Sequence, residues 1–141
     1  MTGPDTIFWP MGALALVTFG VLGLIPLRRL GASRRGDVTA DDFRYGESSR
    51  VPPDVAIPNR AMMNLLEVPV LFYVVCLMAH GAALVTPPFL VLAWIYVGLR
   101  TVHSLIHCSY NNVLHRLVAF ALSNFVLMAM WITFFVEFWR R

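Results

Sequence analysis

Long stretches without charged residues dominate the hydrophobic pattern of the chain. No charge falls between Asp5 and Arg28, and none falls between Leu117 and Val136. A run of about 20 apolar residues is long enough to cross a bilayer as an α-helix. The pattern predicts four spanning helices, at about 7–28, 59–80, 88–109 and 113–139. The expected fold class is therefore an all-α membrane protein, a four-transmembrane-helix bundle.

Proline and asparagine residues predict where these helices begin, bend and end. The first helix is expected to kink or end at Pro26, because proline lacks the backbone N–H that a helix interior needs. Asn59 is a plausible cap for the second helix, and Pro69 is expected to kink that helix just after Glu67. Asn112 is a possible cap for the fourth helix.

Composition and charge add an orientation to this picture. The chain of 141 residues is 58% apolar and 13% charged, and all eleven of its cations are arginine. The polar loop at 29–58 is rich in arginine, whereas the turn at 81–88 has neither Lys nor Arg. Positively charged connections tend to stay in the cytoplasm. We therefore expect a single multi-pass domain over 1–141, with loop 29–58 in the cytoplasm and no nucleic-acid partner.

A polar stripe opens the second predicted helix, whereas most long apolar runs of the chain carry no charge. Arg60, Asn64 and Glu67 are offset by 0, 4 and 7 positions, so they share one face of a helix. A polar stripe at membrane depth is costly unless it is paired or faces a protein interior. The stripe is either part of a functional site or a purely structural network in which Arg60 and Glu67 form a buried ion pair.

The third and fourth predicted helices carry further polar groups in the same half of the membrane. Arg100, His103 and His107 form a stripe on the third helix, and Arg116 begins the fourth. Guanidinium groups pair bidentately with carboxylates, and a cationic pocket also lowers the pKa of a thiol. This arrangement favours a soluble, polyanionic, amide-rich ligand that enters from the cytoplasm. An apolar co-substrate could arrive from the lipid.

Other interpretations of the same residues stay open at this point. Arg100 and Arg116 could extend towards lipid phosphates as structural side chains. His103 and His107, four residues apart on one helix, could bind a metal ion or haem. No third ligand is in register with the two histidines, so no metal site is expected.

These motifs, in this order within four spans, resemble the MAPEG family, the membrane-associated proteins in eicosanoid and glutathione metabolism. Arg60-x3-Asn64-x2-Glu67 is similar to the motif of the family's second helix. The third helix of the family has an arginine, a histidine or tyrosine, and then a tyrosine, where this chain has Arg100, His103 and His107. Arg116 agrees with an arginine near the start of the fourth helix in the prostaglandin E synthase branch. The loop segment 41–46 resembles the charged patch of the family's first loop.

The resemblance implies a bacterial-type member in the inner membrane, assembled as a homotrimer with its site facing the cytoplasm. It implies glutathione as co-substrate, bound between neighbouring subunits, and a hydrophobic small molecule or lipid as the second partner. Arg116 would be the catalytic residue that stabilises the thiolate of a glutathione transferase or peroxidase. The residues implied to bind glutathione are Arg44, Arg60, Asn64, Glu67, Arg100, His103, His107 and Tyr110.

Two departures from the family pattern support an alternative function. His107 stands where relatives have a tyrosine, and Tyr110 lies about one turn further along. Leu117 replaces the serine that follows the catalytic arginine in the prostaglandin synthase branch. The alternative is a non-catalytic protein of MAPEG fold that binds lipid or a partner through the same arginines.

Overall fold

The computed structural model describes residues 3–140, and within them the chain forms five α-helices that make four spans. The helices are α1 Phe8–Arg35, α2 Pro53–Leu66, α3 Pro69–Gly81, α4 Pro87–Cys108 and α5 Val113–Trp139. A short 3₁₀ turn, Pro4–Ile7, leads into α1, and α2 and α3 follow one another as the second span. Four helical segments are thus long and apolar enough to cross a membrane, which confirms the all-α, four-span prediction.

Helix α1 is longer than the sequence suggested. It continues through Pro26 to Arg35 instead of ending near residue 28, so the predicted end was wrong. Proline is tolerated within membrane helices because neighbouring groups can satisfy the backbone atoms that it frees. The helix ends at Gly36, whose φ of 79° is left-handed and whose N–H donates to the carbonyl of Ala32. Glycine adopts that conformation without a Cβ clash, so the true stop signal is Gly36.

The second span also begins earlier than predicted and is broken in its middle. It starts at Pro53, where proline suits a first helical turn, so Asn59 lies inside α2 and does not cap it. Helix α2 ends at Leu66, and α3 restarts at Pro69. Pro69 cannot donate the i to i−4 hydrogen bond, and its ring crowds the carbonyl four residues earlier. The expected kink near Glu67 is therefore a complete break.

The polar loop is shorter than the predicted 29–58, since it occupies only 36–52 between α1 and α2. Asp42 holds it together. The backbone N–H of Thr39 donates to Asp42 Oδ2 at 2.8 Å, and the Ser48 hydroxyl donates to Asp42 Oδ1 at 2.7 Å. Asp42 lies in the 3₁₀ turn Ala40–Phe43, so one carboxylate joins both halves of the loop.

Acidification should loosen this loop at the point where Asp42 becomes protonated. Hydrogen bonds from the Thr39 backbone, the Ser48 hydroxyl and the Thr39 hydroxyl hold the pKa of Asp42 below its usual 3.8. A lowered folded pKa means that the stabilisation is fully present above the unfolded pKa and is lost as pH falls through the folded value. The carboxyl ¹³C shift of Asp42 should therefore titrate below pH 3.8. A midpoint at or above that pH would contradict the prediction. Asp42→Asn should lose less thermal stability on acidification than the wild type.

The apolar core lies between all five helices and holds the spans in register. The rings of Phe72 on α3 and Tyr96 on α4 stack with centroids 4.7 Å apart, and both side chains are fully buried. Such ring pairs contribute about 0.5–1.5 kcal/mol beyond the area that they bury. Leu14 of α1 and Met130 of α5 close the same core. The residues that line a cleft between α2, α4 and α5 lie outside this core.

Candidate functional site

A cleft of about 220 Å³ lies where α2, α4 and α5 meet. We name it the arginine cleft. Its lining residues are Asn64, His103, Val113, Arg116, Leu117 and Phe120. Asn64, His103 and Arg116 were singled out from the sequence, on three different spans. The structure thus brings one predicted polar residue from each of three spans to a single opening.

The break between α4 and α5 positions Arg116. The side chain of Asn112 caps α5 by accepting from the N–H groups of Leu114 and His115 at 3.0 and 3.1 Å. Asn111 has a left-handed φ of 48°, and its Oδ1 accepts from Arg116 Nη1 at 2.6 Å. Asparagine tolerates that conformation better than most residues. Asn111 was not predicted as a site residue, although an asparagine in a helix break close to an arginine was a usable signal.

The side chain of His103 contacts the backbone of Arg116. Its Nδ1 lies 3.0 Å from the carbonyl oxygen of Arg116. A carbonyl only accepts, so Nδ1 carries the hydrogen, and in the neutral ring Nε2 is then a hydrogen-bond acceptor. Nε2 is buried and has no partner among the described residues. A buried acceptor in the wall of a cleft can receive a hydrogen from a bound ligand.

Arg100 is a fully buried cation beside the arginine cleft. Its Nη2 donates to the backbone carbonyl of Asn64, while Nε and Nη1 have no partner within residues 3–140. Its guanidinium carbon lies 5.5 Å from the ring centroid of Phe120, a wall of the cleft. No ion pair within residues 3–140 includes Arg100, and the carboxylate of Glu67 acts on it only from a longer distance. A buried charge without a close partner costs about 3–5 kcal/mol. The orphaned nitrogens leave positive potential at this wall that an anion in the cleft would offset.

Arg60, Glu67 and His107 do not line the arginine cleft of a single subunit. Arg60 and Glu67 are exposed on the subunit surface, and the described residues contain no ion pair between them. Within one subunit they therefore do not form the buried pair of the structural alternative. Asn64 Nδ2 donates back to the carbonyl of Arg60 at 3.0 Å. His107 is buried, and its ring stands edge-on to that of His103 at 5.8 Å.

Tyr110 and Arg44 also lie outside the arginine cleft. Tyr110 lies on the exposed connection before α5, and its hydroxyl is 3.0 Å from Nδ1 of His115. Arg44 stays in the loop, with its guanidinium 5.4 Å from the ring centroid of Tyr45. Among residues 3–140, no group of three or more His, Cys, Asp or Glu side chains is placed to hold a metal ion.

The apolar walls of the cleft were not predicted. Leu117 and Phe120 follow Arg116 by one and four residues, and Phe120 therefore lies one turn further along the same helix. The sequence does not distinguish an apolar side chain that lines an opening from one that packs against a neighbouring helix, because both are leucines and phenylalanines. The polar residues stood out only because they interrupt an apolar background.

The four spans and the cationic cleft at their loop end define a class: a multi-pass integral membrane protein built as a helical bundle. The chain matches the MAPEG family over residues 7–136, and it belongs to that family. No curated protein and no solved structure gives a significant match.

Proposed function

We propose that the protein binds glutathione at the arginine cleft and transfers it to hydrophobic electrophiles, or uses it to reduce hydroperoxides. The observation that carries this proposal is the position of Arg116. Its guanidinium is anchored by Asn111 in a cleft that also contains His103 and Asn64. The MAPEG family includes glutathione transferases and peroxidases, which supports the same assignment.

The chemical step would be attack by a glutathione thiolate. The positive charge of Arg116 favours the ionised sulfur, and the buried Arg100 adds to that field. The unpartnered Nε2 of His103 is an acceptor available for the thiol proton. In the transferase reaction a sulfur–carbon bond forms at the electrophile, and the leaving group departs with its electron pair.

A homotrimer would complete the site on the loop side of the membrane, which we place in the cytoplasm. The volume of about 220 Å³ falls below the roughly 300 Å³ at which ligand pockets begin. Arg60 and Glu67 are exposed and without an ion-pair partner in the described chain, so they are available across a subunit contact. In this arrangement a carboxylate of glutathione pairs with Arg60, and its ammonium pairs with Glu67.

Glutathione binding by the detergent-solubilised protein tests this function. At a concentration 100 times its Kd, a ligand stabilises a folded protein by about 2.7 kcal/mol. We expect a rise in Tm with glutathione and the ultraviolet absorbance of a thiolate. Arg60→Ala should weaken binding about tenfold, as expected for the loss of a charge-assisted pair. Arg34→Ala removes an exposed arginine near the end of α1 and should bind normally. If glutathione gives the wild-type protein neither a rise in Tm nor thiolate absorbance, the proposed function is refuted.

A second candidate function is non-catalytic binding of an anionic lipid or a partner. It is favoured by the lining of the arginine cleft, to which residues 3–140 contribute no tyrosine or other hydroxyl, while His107 is buried outside it. This function predicts lipid binding that glutathione does not displace. Conjugation of glutathione to a generic electrophile such as 1-chloro-2,4-dinitrobenzene would exclude it.

A further inference from the structure

A second cleft follows the arginine cleft along the same two spans. It has a volume of about 320 Å³ and lies between the second span and α5. We name it the Asn124 cleft. Its lining residues are Val68, Leu71, Asn124, Leu127, Met128 and Trp131. Four of these six side chains are aliphatic or thioether groups, which suits the hydrocarbon of a lipid chain.

The two clefts follow one another along the groove between the second span and α5. On the second span, Asn64 before the break lines the first cleft, and Val68 and Leu71 beyond it line the second. On α5, Phe120 lines the first, and Asn124 lines the second one turn later. Residues three or four apart lie on one helical face. The groove therefore leads from Arg116 towards the middle of the membrane.

Two polar atoms in the Asn124 cleft have no hydrogen-bond partner. They are Oδ1 of Asn124 and Nε1 of Trp131, and both atoms are buried. Asn124 lies near the middle of α5, Val113–Trp139, at a depth where water is absent. An unpaired amide or indole N–H there costs about 1–3 kcal/mol each on protein-derived scales. One acceptor and one donor in an otherwise apolar cleft define the chemistry of what would fill it.

We propose that the Asn124 cleft binds an apolar chain that carries a neutral hydroxyl group, taken up from the lipid phase. The hydroxyl hydrogen bonds to Asn124 Oδ1, and the hydroxyl oxygen accepts from Trp131 Nε1. A hydroxyl fits because it both donates and accepts, whereas a pure hydrocarbon leaves both protein atoms unpaired. Because this cleft lies next to the arginine cleft, the bound chain would be the apolar co-substrate. Only this identification as the co-substrate rests on the proposed function.

The test uses Trp131 as its own reporter. A variant with Trp9, Trp94 and Trp139 changed to phenylalanine retains only Trp131 and is reconstituted in nanodiscs of saturated phosphatidylcholine. The probes are dodecanol and dodecane, and the signal is the ultraviolet resonance Raman band that reports hydrogen bonding of the indole N–H. We expect a saturable shift with dodecanol and none with dodecane. A shift of equal size with both probes overturns the proposal.

Substitution of Asn124 separates recognition from folding. Asn124→Leu should weaken dodecanol binding about three- to tenfold, the worth of one hydrogen bond. Phe125→Leu, on the adjacent exposed position, should bind dodecanol as the parent does. An indole band that is already hydrogen-bonded without alcohol, and insensitive to it, would mean that a neighbouring subunit covers the cleft and would overturn the proposal.

The same variants distinguish a failure of this proposal from a failure of the proposed function. Asn124→Leu should keep the thiolate signal with glutathione, because Asn124 lies two turns beyond Arg116. Its KM for an electrophile with a hydroxylated alkyl chain should rise, while kcat stays near that of the parent. Dodecanol binding without any thiolate signal would refute the glutathione chemistry and leave the cleft assignment standing. Normal catalysis with no dodecanol binding would refute the cleft assignment and leave the glutathione chemistry standing.

Discussion

Replacement of Arg116 by alanine should abolish the thiolate absorbance of bound glutathione and lower kcat about 10²–10³-fold, the usual loss on removing one preorganised electrostatic group. The reason is geometric. Asn111 holds the Arg116 guanidinium at 2.6 Å from its side-chain oxygen, so the charge is fixed before the ligand arrives. Stopped-flow ultraviolet absorbance and steady-state turnover measure the two effects separately.

Two further variants make this prediction specific. Arg116→Lys keeps a positive charge but loses the planar fork that Asn111 positions, so it should retain part of the thiolate signal. Arg140→Ala removes an exposed arginine from the far end of α5, where it pairs with Glu137 at 3.7 Å, and should leave activity unchanged. An Arg116→Ala protein with the thiolate signal of the wild type would move the chemistry to another residue.

Replacement of Arg100 by methionine should have opposite effects on stability and on binding. In the ligand-free protein Arg100 is a fully buried charge whose Nε and Nη1 are unpaired, so a methionine of similar length should leave Tm equal or higher. Glutathione, however, should bind at least about tenfold more weakly, because the positive potential beside the cleft is gone. Thermal melts with and without glutathione measure both effects on one sample.

Arg100→Ala serves as the comparison, because it also leaves a cavity and should lower Tm whatever the role of the charge. A methionine variant that is much less stable than the wild type without ligand would show that Arg100 has a structural counter-ion. A methionine variant that binds glutathione normally would remove Arg100 from the site.

The spans were predictable because uncharged apolar runs and helix caps are local signals. Helix α5 coincides with the predicted 113–139, since Asn112 caps it and no charge interrupts its middle. The end of α1 was not predictable from Pro26, because membrane surroundings tolerate a proline that would end a helix in water. Gly36 decided that boundary through a left-handed conformation that many glycines in the chain do not adopt.

The site was predictable only in its polar part. Helical periodicity placed Asn64 and His103 on polar stripes, and the structure brings both to the opening that Arg116 lines. It placed Arg60 and Glu67 on the same face as Asn64, yet both are exposed in one subunit, because periodicity specifies a face and not what covers it. Phe120 and the apolar walls of the Asn124 cleft had no signal, since apolar residues in a membrane helix are the background.

The exposed Glu67 affects the stability of the protein when its concentration in the lipid is low. This carboxylate sits at the break between α2 and α3, near the middle of the second span, and no arginine of the described chain forms an ion pair with it. An acidic side chain that faces lipid at that depth costs about 2.5–3.5 kcal/mol on insertion scales. A lone subunit carries most of that penalty, because only the charge of Arg100 acts on this carboxylate from a distance. In the homotrimer that we propose, a neighbouring subunit would share the residue. Stability should therefore fall as the chain is diluted in lipid. The free energy of unfolding should thus depend on the protein-to-lipid ratio.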